Sequence, residues 1–411
     1  MGCSSSSTAI EEDIGTPERH AARNRLGFSE VAFELQDSVA KIDEIISQAY
    51  QRLDEQICAL ESACPGPRLL TAEAWVDHLQ TNIVRSNVQD EIFLPTNKLA
   101  LEVKVIGIPN GIPNGSSSPT ELQCATDGDA RDDIAKVRRL ALKMGIALDP
   151  TKAALQEEFI ARVSRSAMEF EAESFTADMI EHGQLRALKL RQSFNQLKAL
   201  YIELDSLIAS VNNGTYSSLM EQQLDGELEI AREVRDRLGG VSEQWRTTNL
   251  MMRASVKGMQ QAVEFWNYVG KSHQAAEKIG FALDCRTACH GSLMSLEAAL
   301  AALPQVEIPF ITFRQQSAVK HALIYMLTDM ANPSRYQHTK LVLEGFLCNL
   351  EKSVRWVYET YRATLKKDLS EADQSVTLIA TKLRELRKQY ISQRMGPKIY
   401  VRPVLRKLNE R

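Results

Sequence analysis

The amino group of Gly2 and the thiol of Cys3 are the two nucleophiles whose setting points to a defined chemistry. Met1-Gly2-Cys3-Ser4-Ser5-Ser6 fits the N-myristoylation template, in which glycine follows methionine and serine or threonine stands at the sixth position. The Gly2 amine would take a myristoyl chain as an amide, and the Cys3 thiol a palmitoyl chain as a thioester. One myristoyl chain holds a bilayer only marginally, so a second signal decides whether attachment lasts. Glu11, Glu12 and Asp13 follow closely. They leave no basic patch beside the lipid site and make palmitoylation of Cys3 the expected second signal.

The other charged constellation lies at the far end of the chain. Val401, Val404, Leu405 and Leu408 recur at helical spacing, while Arg402, Arg406, Lys407 and Arg411 fill other positions. Lys382, Arg384, Arg387, Lys388, Arg394 and Lys398 stand just upstream. Such a basic amphipathic segment would bind anionic lipid at about 1 kcal/mol per residue held near the surface. The alternative is a solvated helix face whose apolar residues dock on the fold.

Catalytic patterns fail on their own terms. Gly270-Lys271-Ser272 resembles the end of a phosphate-binding loop, but Phe265 stands where that loop needs glycine and the flanks read as helix. Cys285, Cys289 and His290 have the wrong spacing for haem attachment. The two cysteines fall on one helical face with His290 turned away, which fits buried small hydrophobes better than a metal site. Glu181-His182 lacks the second histidine of a zinc-protease helix. No nucleophile elbow or dinucleotide loop occurs, so the residues imply no catalytic site, cofactor or metal.

The elements that must position these residues read as helix. Hydrophobic residues make up 44% and charged residues 25% of the sequence, ordinary values for a folded chain with a sizeable core. A net charge of -4 gives no pull toward nucleic acid, and no apolar run approaches the roughly 18 residues of a membrane span. The seven cysteines are scattered and form no disulfide framework. A stripe at Val31, Leu35, Val39, Ile42, Ile46, Ala49, Leu53 and Leu60 predicts a long helix that stops at Cys64-Pro65-Gly66-Pro67. Thr71 would cap the next helix, and Asp149-Pro150 a third. Gly183 reads as a kink, and Gly239-Gly240 as a turn between helices. From Pro333 to Met395 the apolar spacing alternates three and four with a slip near Leu365. An unbroken helix there would run about 90 Å.

The expected fold is all-α: an elongated antiparallel bundle of long helices, with a parallel coiled-coil homodimer as the alternative arrangement. Five segments follow from composition: an acylated tether over 1–27, helices over 28–84, a Pro/Gly/Ser-rich loop over 85–130, the main bundle over 131–395 and a basic tail over 396–411. Leu99, Leu101, Val103 and Val105 alternate as a small hairpin would. The expected function is a non-enzymatic scaffold or adaptor on the cytosolic face of a membrane, namely the plasma membrane. It would be held by acyl chains in lipid, would engage protein partners and would not bind nucleic acid. A membrane-remodelling dimer with a basic face is the alternative, and an enzyme with its site inside the bundle a distant third.

Overall fold

A computed structural model describes residues 44–93, 126–212, 215–393 and 400–401, and the fold is all-α. Helix α1 covers 44–61. It is followed by α2 (Pro65–Phe93), α3 (Thr126–Met144), α4 (Pro150–Leu155), α5 (Glu157–Asn212) and α6 (Leu219–Lys271). Then come α7 (Ala275–Ala302), α8 (Phe313–Asp329), α9 (Pro333–Ala363) and α10 (Leu365–Gln393). A two-residue antiparallel bridge joins β1 (Thr215–Tyr216) to β2 (Tyr400–Val401), pairing Thr215 with Val401 and Tyr216 with Tyr400. Val401 is therefore extended at the position read as the start of a helical tail. The 85–130 segment is helical at both ends, since α2 runs to Phe93 and α3 starts at Thr126. The proposed hairpin at 99–105 lies outside the described residues.

Chain termination signals work where short polar side chains can reach backbone. Asp149 Oδ1 accepts from Thr151 N at 3.0 Å and Lys152 N at 3.4 Å, with Pro150 opening α4. Thr312 and Gln315 close a reciprocal capping box on α8, and Asn332 caps α9 before Pro333. Gly145, at φ +65°, ends α3 in the left-handed conformation that a Cβ disfavours. Four sequence expectations need correction. The helix expected to start at Thr71 begins at Pro65, and Thr71 donates to Pro67 O inside it at 3.0 Å. Lys271 ends α6 and Ala275 opens α7, a break that the sequence expectation, with its one turn at Gly239-Gly240, did not place. The long final helix is interrupted at Thr364 (φ −112°, ψ −88°), the place of the apolar slip.

The fourth correction concerns glycine. Gly183 and Gly239-Gly240 break nothing, and α5 and α6 run through them. A Cβ on Gly183 would lie 2.6 Å from Val76 Cγ2 and 3.0 Å from Trp75 Cζ3, and one on Gly239 would lie 2.5 Å from Cys64 Cβ. These glycines let another helix or turn approach closely, which costs helix propensity and returns packing.

Two compact units make up the chain, each discontinuous in sequence. Unit 1 contains the described residues of 44–62, 196–232 and 374–401, and unit 2 those of 63–195 and 233–373. The core of unit 1 has two parts. Tyr50, Leu53, Ile57, Leu197, Leu204, Ile208 and Ile391 form one, and Leu228, Val376, Ala380 and Leu383 the other. In unit 2 one large cluster gathers Trp75, Trp245, Trp266, Met252, Met259 and Leu296 with side chains from α7, α8 and α9. Trp266 is fully buried; its Nε1 donates to Tyr336 O and Tyr336 Oη returns a bond to Trp266 O, both at 3.1 Å. Between α6 and α7 the contact is made by small residues: Ser292 Oγ donates to Ser255 O at 2.7 Å and Cys285 Sγ to Ala262 O at 3.1 Å.

The glycine reading separates two substitutions of identical chemistry. Gly183→Ala should lower stability by about 1–3 kcal/mol through overpacking. Gly226→Ala, on the exposed face of α6 where a Cβ meets nothing within 4 Å, should raise it by up to about 1 kcal/mol. Urea denaturation midpoints of the two variants, moving in opposite directions from wild type, check this.

Candidate functional site

The charged stripe of α10 is the first place where function was expected, and geometry puts much of it inside unit 1. The buried positions of α10 within unit 1 are Val376, Ala380, Leu383, Arg387 and Ile391, a spacing of three and four in which arginine takes an apolar slot. Arg387 Nε donates to Glu221 Oε1 at 2.9 Å and Nη2 to Asp225 Oδ1 at 3.0 Å. Glu221 also accepts from Ser217 N at 2.7 Å, and Asp225 from Tyr216 Oη at 2.7 Å. Burial pushes the neighbouring Tyr50 phenol up to about 12, against the pull of the Arg387 charge. Arg384 pairs with Asp54 on α1, and Lys388 Nζ donates to Gln51 Oε1 at 3.1 Å. Arg384 and Arg387 are thus corrected from lipid-facing cations to internal ties, because buried carboxylates face them across the helix contact. Lys382 is exposed. Gly2, Cys3, Arg394, Lys398, Arg402, Arg406, Lys407 and Arg411 lie outside the described residues.

A further pair completes unit 1. Arg232 on α6 donates from Nε to Glu61 Oε2 on α1 at 3.1 Å, and its Nη2 forms an ion-pair contact with Glu61 Oε1 at 3.1 Å. Its Nη1 reaches Glu229 at 3.0 Å, and its guanidinium lies 5.8 Å from the Tyr201 ring centroid. Cys58, on the same face of α1, has its thiol pushed up to about 11, first by burial and then by Asp54 and Glu61. It is held as an unreactive thiol.

Unit 2 buries a second polar group in its large core. Glu171 on α5 accepts from Arg286 Nη2 at 2.7 Å and Thr287 Oγ1 at 3.1 Å, and its Oε2 lies 3.3 Å from His290 Nδ1. Burial pushes the Glu171 carboxyl up, but the His290 hydrogen bond and the Arg286 charge outweigh it and hold the carboxyl below its usual range. Arg286 is fully buried, and its Nε and Nη1 have no hydrogen-bond partner. The cysteines flanking this group are packed side chains, as their spacing implied. Burial raises both the Cys285 and Cys289 thiols far above the ordinary range. Among the described residues no set of three His, Cys, Asp or Glu side chains is placed to hold a metal ion.

An open polar feature of unit 2 is a cavity of about 320 Å³ lined from α2, α6 and α9. Arg68, Arg246, Arg253 and Asn249 face it, and Trp245 and Tyr361 form an aromatic wall with ring centroids 6.4 Å apart. Ser242 Oγ and Tyr361 Oη are 3.3 Å apart at one side. Beside the cavity Glu243, 1% exposed, is clamped by Arg186 through two bonds of 2.9 Å and by Arg246 at 3.0 Å. Burial pushes the Glu243 carboxyl up, and the Arg186 hydrogen bond and the surrounding arginines more than reverse it. Nothing in the sequence flagged this site: most of its lining falls within 242–253 on α6 without a motif, and Arg68 and Tyr361 join it only in the fold. The one available signal was arginine recurring at 246 and 253, two helical turns apart.

No protein-family model, curated protein or solved structure matches the chain. No described helix is long and apolar enough to cross a membrane.

Two predictions follow from the buried charges. Glu171→Gln should destabilise unit 2 by about 3–5 kcal/mol, because it strands a buried guanidinium. A group whose folded pKa is lowered stabilises the fold above its unfolded value and loses that contribution as pH falls through the folded one. The wild type should therefore lose this increment below about pH 4.5 while Glu171→Gln shows a flatter acid limb, read by thermal melts from pH 3 to 7. Arg387→Gln should weaken unit 1 by a similar amount. Hydrogen exchange would speed up in 44–62, 196–232 and 374–393, whereas a lipid-facing arginine would leave exchange unchanged.

Proposed function

We propose that the chain is a lipid-anchored scaffold or adaptor on the cytosolic face of a membrane, with the plasma membrane as the expected one. The observation that carries this reading is the Gly2-Cys3 pair in the Met1-Gly2-Cys3-Ser4-Ser5-Ser6 setting. Two acyl chains would supply lasting attachment where one would not, and an all-α body supplies surface for protein partners. Leu185 and Leu188, three residues apart on α5, are about half exposed and give one helix face an apolar character suited to a partner helix. The buried polar clusters around Arg387, Arg232 and Glu171 are closed by internal partners, which favours a non-enzymatic, binding role.

The membrane-remodelling alternative depends on a continuous basic face pressing on anionic lipid. Arg384 and Arg387 are engaged with Asp54, Glu221 and Asp225, and that face is the poorer for them. The scaffold reading needs neither residue.

Metabolic labelling with an alkyne myristate, followed by membrane fractionation, tests the proposal. The wild type should incorporate label and pellet with membranes. Gly2→Ala should lose both signals, and Cys3→Ser should keep the label but move largely to the soluble fraction. A Gly2→Ala protein that still pellets would sink the acyl-anchor reading.

A further inference from the structure

The cavity between α2, α6 and α9 holds an imbalance that the scaffold role does not use. Arg68, Arg246 and Arg253 line it and Arg186 stands behind, against the one carboxylate Glu243. Glu243 is already engaged by Arg186 and Arg246. Arg68 and Arg253 form no ion pair among the described residues. Arg68 Nε is buried without an acceptor and Asn249 Oδ1 is buried without a donor. Unmet buried groups of this kind each cost about 1–3 kcal/mol, and native folds keep few of them. Both orphans here lie in residues that line one opening. The two atoms themselves are closed to solvent, so a ligand would satisfy them by drawing the two side chains toward the opening, with an anionic oxygen for Arg68 and a hydroxyl for Asn249.

We infer that this cavity binds a phosphate monoester carried on a hydroxylated ring. The phosphate matches the planar arginine donors, which bind such oxygens in paired, charge-assisted bonds. The ring hydroxyl answers Asn249 Oδ1, and the ring face lies against Trp245 and Tyr361. At about 320 Å³ the cavity is at the small end of ligand sites, which selects one ring and its phosphate over a larger cofactor. A soluble sugar or nucleoside monophosphate and the headgroup of a phosphorylated inositol lipid share this chemistry.

Isothermal titration of the full chain with AMP, inositol 1,4,5-trisphosphate and inorganic phosphate, paired with sedimentation on vesicles holding phosphatidylinositol 4,5-bisphosphate, tests the inference and separates the sources. At least one ring phosphate should bind saturably and more tightly than inorganic phosphate. Arg253→Glu, at an exposed position, should weaken that binding by at least about tenfold. Arg165→Glu, an exposed arginine outside the cavity, should change it less than about twofold. Both variants should keep the wild-type urea midpoint. Vesicle binding lost in Arg253→Glu assigns the lipid headgroup, and soluble binding alone assigns the free ester. Absence of ring-phosphate binding, or binding weakened equally by both substitutions, would overturn the inference.

Discussion

Buried arginine–carboxylate pairs are the constraint on which unit 1 depends. A helix with an apolar stripe can slide one turn along its neighbour and still bury most of the same surface. Charge placed in the stripe forbids it, because a slipped helix would leave unpaired ions in the core. Arg232–Glu61 ties α6 to α1, Arg384–Asp54 ties α10 to α1, and Arg387–Glu221 ties α10 to α6. Three helices are thereby linked pairwise in a closed set, while α5 joins them through Leu197, Leu204 and Ile208. Hydrophobic burial supplies the drive to associate; the ion pairs select one alignment.

Unit 2 fixes its alignment differently. Close approach is achieved with glycine, serine and cysteine: Gly258 faces Ala288 and Ser292, and Ser255 bonds Ser292 across the α6–α7 contact. Larger rings then lock positions, as in the reciprocal Trp266–Tyr336 bonds. Such contacts tolerate no extra methyl group. The Glu171–Arg286–His290 cluster adds one charged pin to that core, and Glu243 with Arg186 another.

These devices explain what the sequence disclosed and what it hid. Helix class, the stop at Cys64–Pro67, the Asp149 cap, the start at Pro333 and the disturbance near Leu365 were legible, because each rests on local chemistry within a few residues. The facing of the helices was not. Apolar periodicity put Leu386 and Tyr390 on the core face of α10 and Ala49 and Leu60 on that of α1. The buried neighbours of these positions are instead Arg387 and Ile391 on α10, and Tyr50, Ile57 and Glu61 on α1. Leu53 and Leu383 are buried where the stripes put them, and the other positions are turned by one residue, since a rule that looks for hydrophobes passes over the charges in the stripe. Glycine misled for a related reason: sequence cannot distinguish a residue that bends its own helix from one that admits another. The arginine cavity was equally hidden, as Arg68, Arg253 and Tyr361 meet only in the folded unit. The anchor at Gly2 and Cys3 is the reverse case, being written entirely in adjacent residues.

The central physical claim is that charge inside the apolar stripes sets helix alignment, and Glu61 with Arg232 is the best pair to test it. Both are buried and meet through one hydrogen bond and one ion-pair contact, each at 3.1 Å. A double-mutant cycle with Glu61→Leu, Arg232→Met and the combined variant, read by urea denaturation, isolates their coupling. If the pair is a pin, each single change is costly, the double change costs far less than their sum, and the coupling exceeds about 1.5 kcal/mol. Single changes that add to within about 0.5 kcal/mol would contradict the claim.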